Sequence, residues 1–297
     1  MMDVAVIGGG PAGLSAALNL KIRNKSFVLL GGSENVTGLM KAPQIDNYPG
    51  LKGISGAELV KSFRDHAVSM GVEIKKEKAY NILDMGDYFS INAGNEFYDA
   101  RSIIIATGRE KAKYLEGEKE YLGKGVGYCA TCDGPLYRNK SIAIISENEE
   151  GEEEANFLSE ICSEVFYIPS YHTEPKLRDG IKLLKEKVTG IQGDGNKVNR
   201  LTTDNRELKV DAVFIVRDVI PVNQLIEGLE LHEGSIKVDR DMAASIKGVF
   251  ACGDCTGKPF QIAKAVGEGN VASLSAVRYL EKNNMSILCE NVTLKVT

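Results

Sequence analysis

The chain has 297 residues, 43% of them hydrophobic and 26% charged, and a formal net charge of −5. These are the proportions of folded globular proteins rather than disordered chains, and the length suggests about two domains. No apolar run approaches the roughly 18–20 residues of a membrane span, the chain begins at Met2-Asp3-Val4 without a basic leader, and its acidic balance argues against a general nucleic-acid binder. A cytoplasmic protein with neither membrane nor nucleic-acid partners is expected. Six cysteines are too few for a disulfide scaffold, and four of them fall in two Cys-x-x-Cys pairs, a pattern of intracellular redox or metal chemistry.

Asp3–Ile7 reads as a strand, Gly8-Gly9-Gly10-Pro11-Ala12-Gly13 as a tight turn, Leu14–Ile22 as a helix and Phe27–Leu30 as a second strand. Gly8, Gly10 and Gly13 fit the dinucleotide fingerprint: one makes the turn, one admits a pyrophosphate to the backbone and one lets helix pack on strand. The phosphates then sit on the helix N-terminus. An acidic ribose ligand is less clear, with Gly31 and Gly32 ending the strand and Glu34 the nearest candidate. Further on, a strand from Ser102 ends in Ala106-Thr107-Gly108. Another, from Gly248, ends in Gly253-Asp254 before a helix predicted from about Ile262 to Leu280. A carboxylate after a glycine turn can bond a polyol chain, and the helix start adds a positive dipole end. That combination suits a flavin.

Cys129 and Cys132 lie in Gly127-Tyr128-Cys129-Ala130-Thr131-Cys132-Asp133-Gly134. Two cysteines three apart at a helix start can close a disulfide, while the dipole favours a thiolate. The competing reading joins them with Cys252 and Cys255 in a four-thiolate zinc centre. No metal is expected, because each pair is embedded in flavoprotein-like sequence, and Cys252 and Cys255 read as buried or incidental thiols. His66, His172 and His232 have no ligand or base spacing and read as surface or helix residues.

Over essentially its whole length the chain resembles the low-molecular-weight thioredoxin reductases. The fingerprint at 8–13, Asn47-Tyr48-Pro49-Gly50, Ala106-Thr107-Gly108, the Cys129–Gly134 segment and Gly253-Asp254 occur in that family's order and approximate spacing. The resemblance implies an α/β fold of two Rossmann-like, three-layer ββα dinucleotide-binding-type domains, the second inserted into the first. Residues 1–109 and 243–297 would form an FAD-binding domain, and 110–242 an inserted NADPH-domain-like domain with the redox cysteines. A homodimer is also implied. Of the catalytic residues, Cys132 would face the flavin and receive electrons, Cys129 would attack thioredoxin, and Asp133 would manage the proton. FAD would be held by Gly8, Gly10, Pro11, Ala12 and Gly13, by Glu34 and Leu39, and by Asn47. Ala106, Thr107, Gly108, Gly253 and Asp254 would join them, with Phe260, Gln261 and Ile262 at the start of the last helix. Two of these places depart from the family: Phe260 differs from the usual residue, and Val36-Thr37-Gly38 replaces a Gly-Gly-Gln before Leu39.

A larger departure lies after the strand Ser141–Ile145. Where the family has a glycine-rich phosphate turn, this chain has Ser146-Glu147-Asn148-Glu149-Glu150-Gly151-Glu152-Glu153-Glu154, with six glutamates in nine residues. Side chains crowd the place where backbone must meet pyrophosphate, and their charge repels it. Pro169-Ser170-Tyr171 replaces the His-Arg-Arg clamp for a 2′-phosphate, and Asp218 replaces a glycine in Arg217-Asp218-Val219-Ile220-Pro221. With all three contacts altered, the sequence resembles the ferredoxin-dependent flavin thioredoxin reductases, which lack NADPH motifs. The implied route runs from reduced ferredoxin through FAD and the Cys129–Cys132 disulfide to thioredoxin. An NADPH-dependent enzyme with a divergent site, or a flavoprotein disulfide reductase with another donor or thiol substrate, remains an alternative. Basic residues for docking an acidic ferredoxin are Lys21, Arg23 and Lys25, and Arg109, Lys111 and Lys113.

Overall fold

Val4, Ala5, Val6 and Ile7 carry nothing that needs water, and the strand they form is covered on both faces, as expected of a central parallel strand. The computed structural model describes residues 1–32, 38–109, 114–217 and 220–293. Glu34, Val36, Thr37, Glu110, Lys111, Lys113, Asp218 and Val219, singled out above, lie outside the described residues.

β1 (Met2–Ile7) passes through the glycine turn into α1 (Pro11–Ile22), and β2 (Phe27–Leu30) pairs parallel to β1 with Val4 opposite Phe27. The helix begins at Pro11, ahead of the predicted Leu14, because proline's fixed φ suits the first helical position. α2 (Gly56–Ser69) starts at a capping box formed by Ser55 and Glu58. β3 (Ile74–Lys75) extends the sheet beyond β2. β4 (Asn81–Asp84), β5 (Phe89–Ala93) and β6 (Glu96–Ile105) then form an antiparallel meander. β6 belongs to both parts of the sheet: it pairs antiparallel with β5 up to Ala100, and parallel with β1 from Ala100 to Ile105.

The second unit begins with α3 (Glu118–Tyr121), β7 (Val126–Gly127) and the single turn α4 (Ala130–Asp133). β8 (Ser141–Ser146), α5 (Glu150–Leu158), β9 (Glu164–Pro169) and β10 (Lys182–Leu183) follow. β11 (Val188–Gly193), β12 (Val198–Thr203) and β13 (Glu207–Lys209) make a separate antiparallel sheet before β14 (Ala212–Val216). The main sheet is parallel throughout, in the order β10-β9-β8-β14-β7. The chain then adds α6 (Val222–Leu225), β15 (Leu231–His232), β16 (Ser235–Ile236), β17 (Val249–Ala251) and α7 (Ile262–Thr293). β17 pairs parallel with β6, placing Ala251 opposite Ile105.

The fold is therefore α/β, with two dinucleotide-type units, and the second interrupts the first. Met1–Glu110 and Pro221–Thr297 form one unit and Lys111–Ile220 the other. The second boundary corrects the expected 242/243. Val222, Leu225, Ile226 and Ile236 pack into the first unit's core, and Ile226 bridges Ile82. Within that unit the parallel sheet has a helical face, where Val4 and Val6 meet α1 and α7. Its other face, where Ala5 and Ile7 meet β4 and β5, completes the expected three layers. Among the described residues no helix is long and apolar enough to cross a membrane.

Small residues let α1 and α7 approach. Ser15 donates to the Val266 carbonyl at 2.7 Å, Asn270 bonds Asn19 at 2.8 Å, and a Cβ added at Gly269 would fall 2.2 Å from the Ala12 carbonyl oxygen. Gly267, two residues away, has nothing within 4 Å. Gly269→Val should therefore lose about 1–3 kcal/mol or more in denaturant unfolding through overpacking. Gly267→Ala should instead gain roughly 0.5–1 kcal/mol by removing helix entropy.

Candidate active site

In the first unit the predicted residues converge around the turn between β1 and α1. Gly8, at φ +117°, crosses so close to the chain after β6 that an added Cβ would lie 2.2 Å from the Ala106 oxygen. At Gly13 the same atom would meet the Gly8 oxygen at 1.8 Å. Both glycines are thus required by protein packing. Gly10 is different: nothing lies within 4 Å of a Cβ placed there, and its φ of −79° is open to any residue. It is the N-cap of α1 and offers no side-chain cap, leaving the helix-end amides for a ligand. Beside this turn, Thr107 Oγ1 is the one buried side-chain polar atom without a hydrogen-bond partner among the described residues. An open cradle at Gly10 and an orphaned hydroxyl at Thr107 fit the diphosphate part of a dinucleotide cofactor.

Gly253 closes the same side, its added Cβ falling 2.8 Å from that of Ala12. The 3₁₀ turn Gly253–Thr256 is fixed by two residues that the sequence reading missed. Lys264 donates to the Gly253 and Gly257 carbonyls at 2.9 and 2.8 Å, and Glu268 accepts from the Gly253 amide at 2.9 Å. Their signal was a Lys–Glu pair one helical turn apart, next to the Gly-Asp motif. Asp254 is half-buried; desolvation pushes its carboxyl up, while Lys264 and Arg109 pull it down. Asn47 donates to Gln261 at 2.9 Å across 214 positions of sequence, and the Arg109 guanidinium lies 4.7 Å from the Phe260 ring centre. Ile262 opens α7. The Leu39 carbonyl accepts the Ala42 amide at 3.0 Å and lies against Gly56. Of the other docking candidates, Lys21 and Arg23 are exposed, and Lys25 approaches Glu281 at 3.9 Å.

In the second unit Cys129 and Cys132 form a disulfide, with Cα atoms 5.3 Å apart. Cys129 caps α4, its sulfur accepting from the Cys132 amide at 3.2 Å, and is 4% exposed; Cys132 is half-buried. Asp133 is exposed as a residue, yet surrounding protein desolvates its carboxyl and pushes it above the usual aspartate range. Cys252 and Cys255 are buried free thiols. Desolvation raises both, Cys255 to about 12, which removes thiolate character. His66, His172 and His232 are exposed.

Part of the glutamate-rich turn is committed to internal partners. Arg217, 2% exposed, forms a two-pronged ion pair with Glu118, itself 0% exposed, and its Nε donates to Glu147 at 3.0 Å. Tyr128 donates to Glu118 at 2.7 Å. Burial raises the phenol, and the bond to Glu118 raises it further. Just ahead of α5, whose N-cap Glu149 makes no side-chain cap bond, the Asn148 side-chain oxygen takes the Glu150 amide at 3.0 Å. Gly151, the glycine that remains, serves packing, since an added Cβ would fall 2.3 Å from Ser146 Oγ. Where Pro169-Ser170-Tyr171 was read as replacing the family's phosphate clamp, Tyr171 donates to Glu152 at 2.7 Å. Glu118 and Arg217 were missed because their partners lie far away in sequence.

A dinucleotide cradle in one unit and a Cys-x-x-Cys disulfide in the other define a flavoprotein disulfide oxidoreductase. The family model for pyridine nucleotide-disulphide oxidoreductases matches residues 2–269. The thioredoxin reductase of Bacillus subtilis (strain 168) is 31% identical over 303 residues, covering 94% of this chain and 95% of that protein. Among solved structures, a ferredoxin-flavin thioredoxin reductase from Clostridium acetobutylicum is 47% identical with a TM-score of 0.89, covering 95% of this chain and 98% of that one. A thioredoxin reductase from Gloeobacter violaceus is 30% identical with a TM-score of 0.81, covering 95% and 94%. The chain belongs to the pyridine nucleotide-disulphide oxidoreductases and, within them, to the thioredoxin reductase family.

Three substitutions check this description. Gly10→Val should fold normally but lose its bound flavin, seen as a colourless preparation with the unfolding midpoint of the flavin-free wild type; full flavin content would remove the cradle from Gly10. Arg217→Met leaves Glu118 buried and unpaired and should cost about 3–5 kcal/mol. Adding Glu118→Gln should recover much of that loss in the same denaturant titration.

Proposed function

We propose that this chain is an FAD-dependent thioredoxin reductase that draws its electrons from reduced ferredoxin and not from NADPH. The observation that carries the donor assignment is the Glu147–Arg217–Glu118 cluster. A nicotinamide nucleotide would need its pyrophosphate on the backbone after β8, where Glu147 is ion-paired to Arg217 and the Asn148 side chain occupies the Glu150 amide. Pro169-Ser170-Tyr171 supplies no cation for a 2′-phosphate. The likeness to a structure described as a ferredoxin-flavin thioredoxin reductase supports the same reading.

FAD, when bound, supplies the conversion between one-electron delivery and two-electron disulfide chemistry. Gly8, Gly10, Pro11, Ala12 and Gly13 would hold its diphosphate, with Ala106, Thr107, Gly108 and Gly253 completing the cradle. Asn47, Asp254, Phe260, Gln261 and Ile262 line the flavin side, where the Asn47–Gln261 bond ties two distant segments. Opening the Cys129–Cys132 disulfide takes up two electrons and two protons, with Cys132 the sulfur that first accepts the electron pair. Asp133, whose raised carboxyl keeps a proton more readily than an ordinary aspartate, holds a proton for the departing sulfur. Cys129 as thiolate then attacks the disulfide of thioredoxin. Cys132 resolves the mixed disulfide, releasing dithiol thioredoxin and restoring the pair.

Under anaerobic conditions, millimolar NADPH or NADH should leave the flavin spectrum unchanged, whereas reduced ferredoxin should bleach it and drive thioredoxin reduction. The rate should fall with salt as electrostatic steering is screened. Cys129→Ser should stop thioredoxin reduction while flavin reduction by the donor persists. Bleaching by NADPH within seconds would overturn the donor assignment, and no reaction with ferredoxin would point to another disulfide reductase.

A further inference from the structure

The polar backbone of the Gly253–Thr256 turn is taken up by two side chains of α7. Glu268 accepts the Gly253 amide at 2.9 Å, and Lys264 donates to the Gly253 and Gly257 carbonyls at 2.9 and 2.8 Å. The Thr256 hydroxyl lies among them, donating to the Gly253 carbonyl at 2.7 Å and accepting from Lys264 at 2.9 Å. Lys264 and Glu268 stand one helical turn apart and meet at 3.1 Å, with 17% and 18% of their side chains exposed. From within the turn, the Cys255 sulfur donates to the Cys252 and Ile105 carbonyls, tying it to the end of β6. Asp254 is the member left over: among the described residues no hydrogen bond reaches its half-buried carboxyl.

A single 3₁₀ turn has poor hydrogen-bond geometry of its own, so its placement depends on what surrounds it. Gly253 stands at φ +83°, and an added Cβ would fall 2.8 Å from that of Ala12 in the first turn of α1. Gly269, the residue after Glu268, lies against the Ala12 carbonyl. The first turns of α7 thus pack on the start of α1 and, through Lys264 and Glu268, fix the Gly253–Thr256 turn beside it.

We propose that Lys264 and Glu268 are positioning residues for the flavin: they hold the Gly253–Thr256 turn in its binding form before the cofactor arrives, leaving Asp254 already placed to receive it. A ligand whose partner is ordered in advance avoids the cost of ordering it on binding. The proposal rests on the FAD site of the proposed function. It assigns the effect to hydrogen bonds at Gly253, Thr256 and Gly257, so an amide that keeps the bond should replace the Glu268 carboxylate.

The full-length protein, stripped of flavin, is titrated with FAD while flavin fluorescence is followed, and circular dichroism checks the fold of each variant. Lys264→Met removes the donors to all three acceptors and should weaken FAD binding about tenfold. Glu268→Ala should weaken it to a similar extent. Glu268→Gln retains an oxygen for the Gly253 amide and should bind within about threefold of the wild type. Folded Met and Ala variants that bind FAD as tightly as the wild type overturn the proposal. An equal loss in the Gln and Ala variants overturns the assignment to the hydrogen bond at Gly253. If the Met protein does not fold, the comparison of Gln with Ala decides by the same outcomes. A wild-type apoprotein that takes up no FAD would instead overturn the cofactor reading beneath the proposal.

Discussion

Arg217 carries a permanent charge to a place where 2% of the residue meets water, and a guanidinium so placed must be neutralised where it lies. Its partners come from separate parts of the second unit: Glu118 from α3 and Glu147 from the turn after β8. Tyr128, next to Cys129, is tied in through Glu118. Because Glu118 is also fully buried, neither member of the pair can leave without stranding the other. The end of β14, the turn after β8 and the segment entering the redox turn are thereby held as one piece.

That constraint separates two turns built on the same plan. β1 with α1, and β8 with α5, are both strand–turn–helix units on a parallel sheet, the arrangement that presents helix-end amides to a phosphate. At the first, glycines keep side chains out and no side chain caps the helix. At the second, the Asn148 side chain takes the Glu150 amide and Glu147 pairs with Arg217. Backbone architecture is therefore common to both turns, and the side chains are what differ between them.

The acidic run illustrates how one composition does several jobs. Glu147 neutralises Arg217, Glu152 accepts from Tyr171, and Glu154 holds the Ala130 amide. Glu149, Glu150 and Glu153 face solvent. The sequence reading of a solvated acidic helix start holds for this last group and in part for Glu147, whose side chain is 42% exposed.

Local pattern was enough to place β1, α1, β2 and the turn between them, since glycine spacing, a proline at the helix start and β-rich runs act over a few residues. The Cys-x-x-Cys spacing likewise brought two sulfurs together by itself. It was tertiary structure that decided where the chain re-enters the first unit, because Val222, Leu225 and Ile226 are apolar residues whose partners could be read in either unit until the core formed. Structure also decided which charges are buried. Glu118 and Arg217 stand 99 residues apart, Asn47 and Gln261 214, and a glutamate is written the same way whether it is solvated or desolvated. Its energy depends on the dielectric and the partners that folding assembles around it, which no local spacing records.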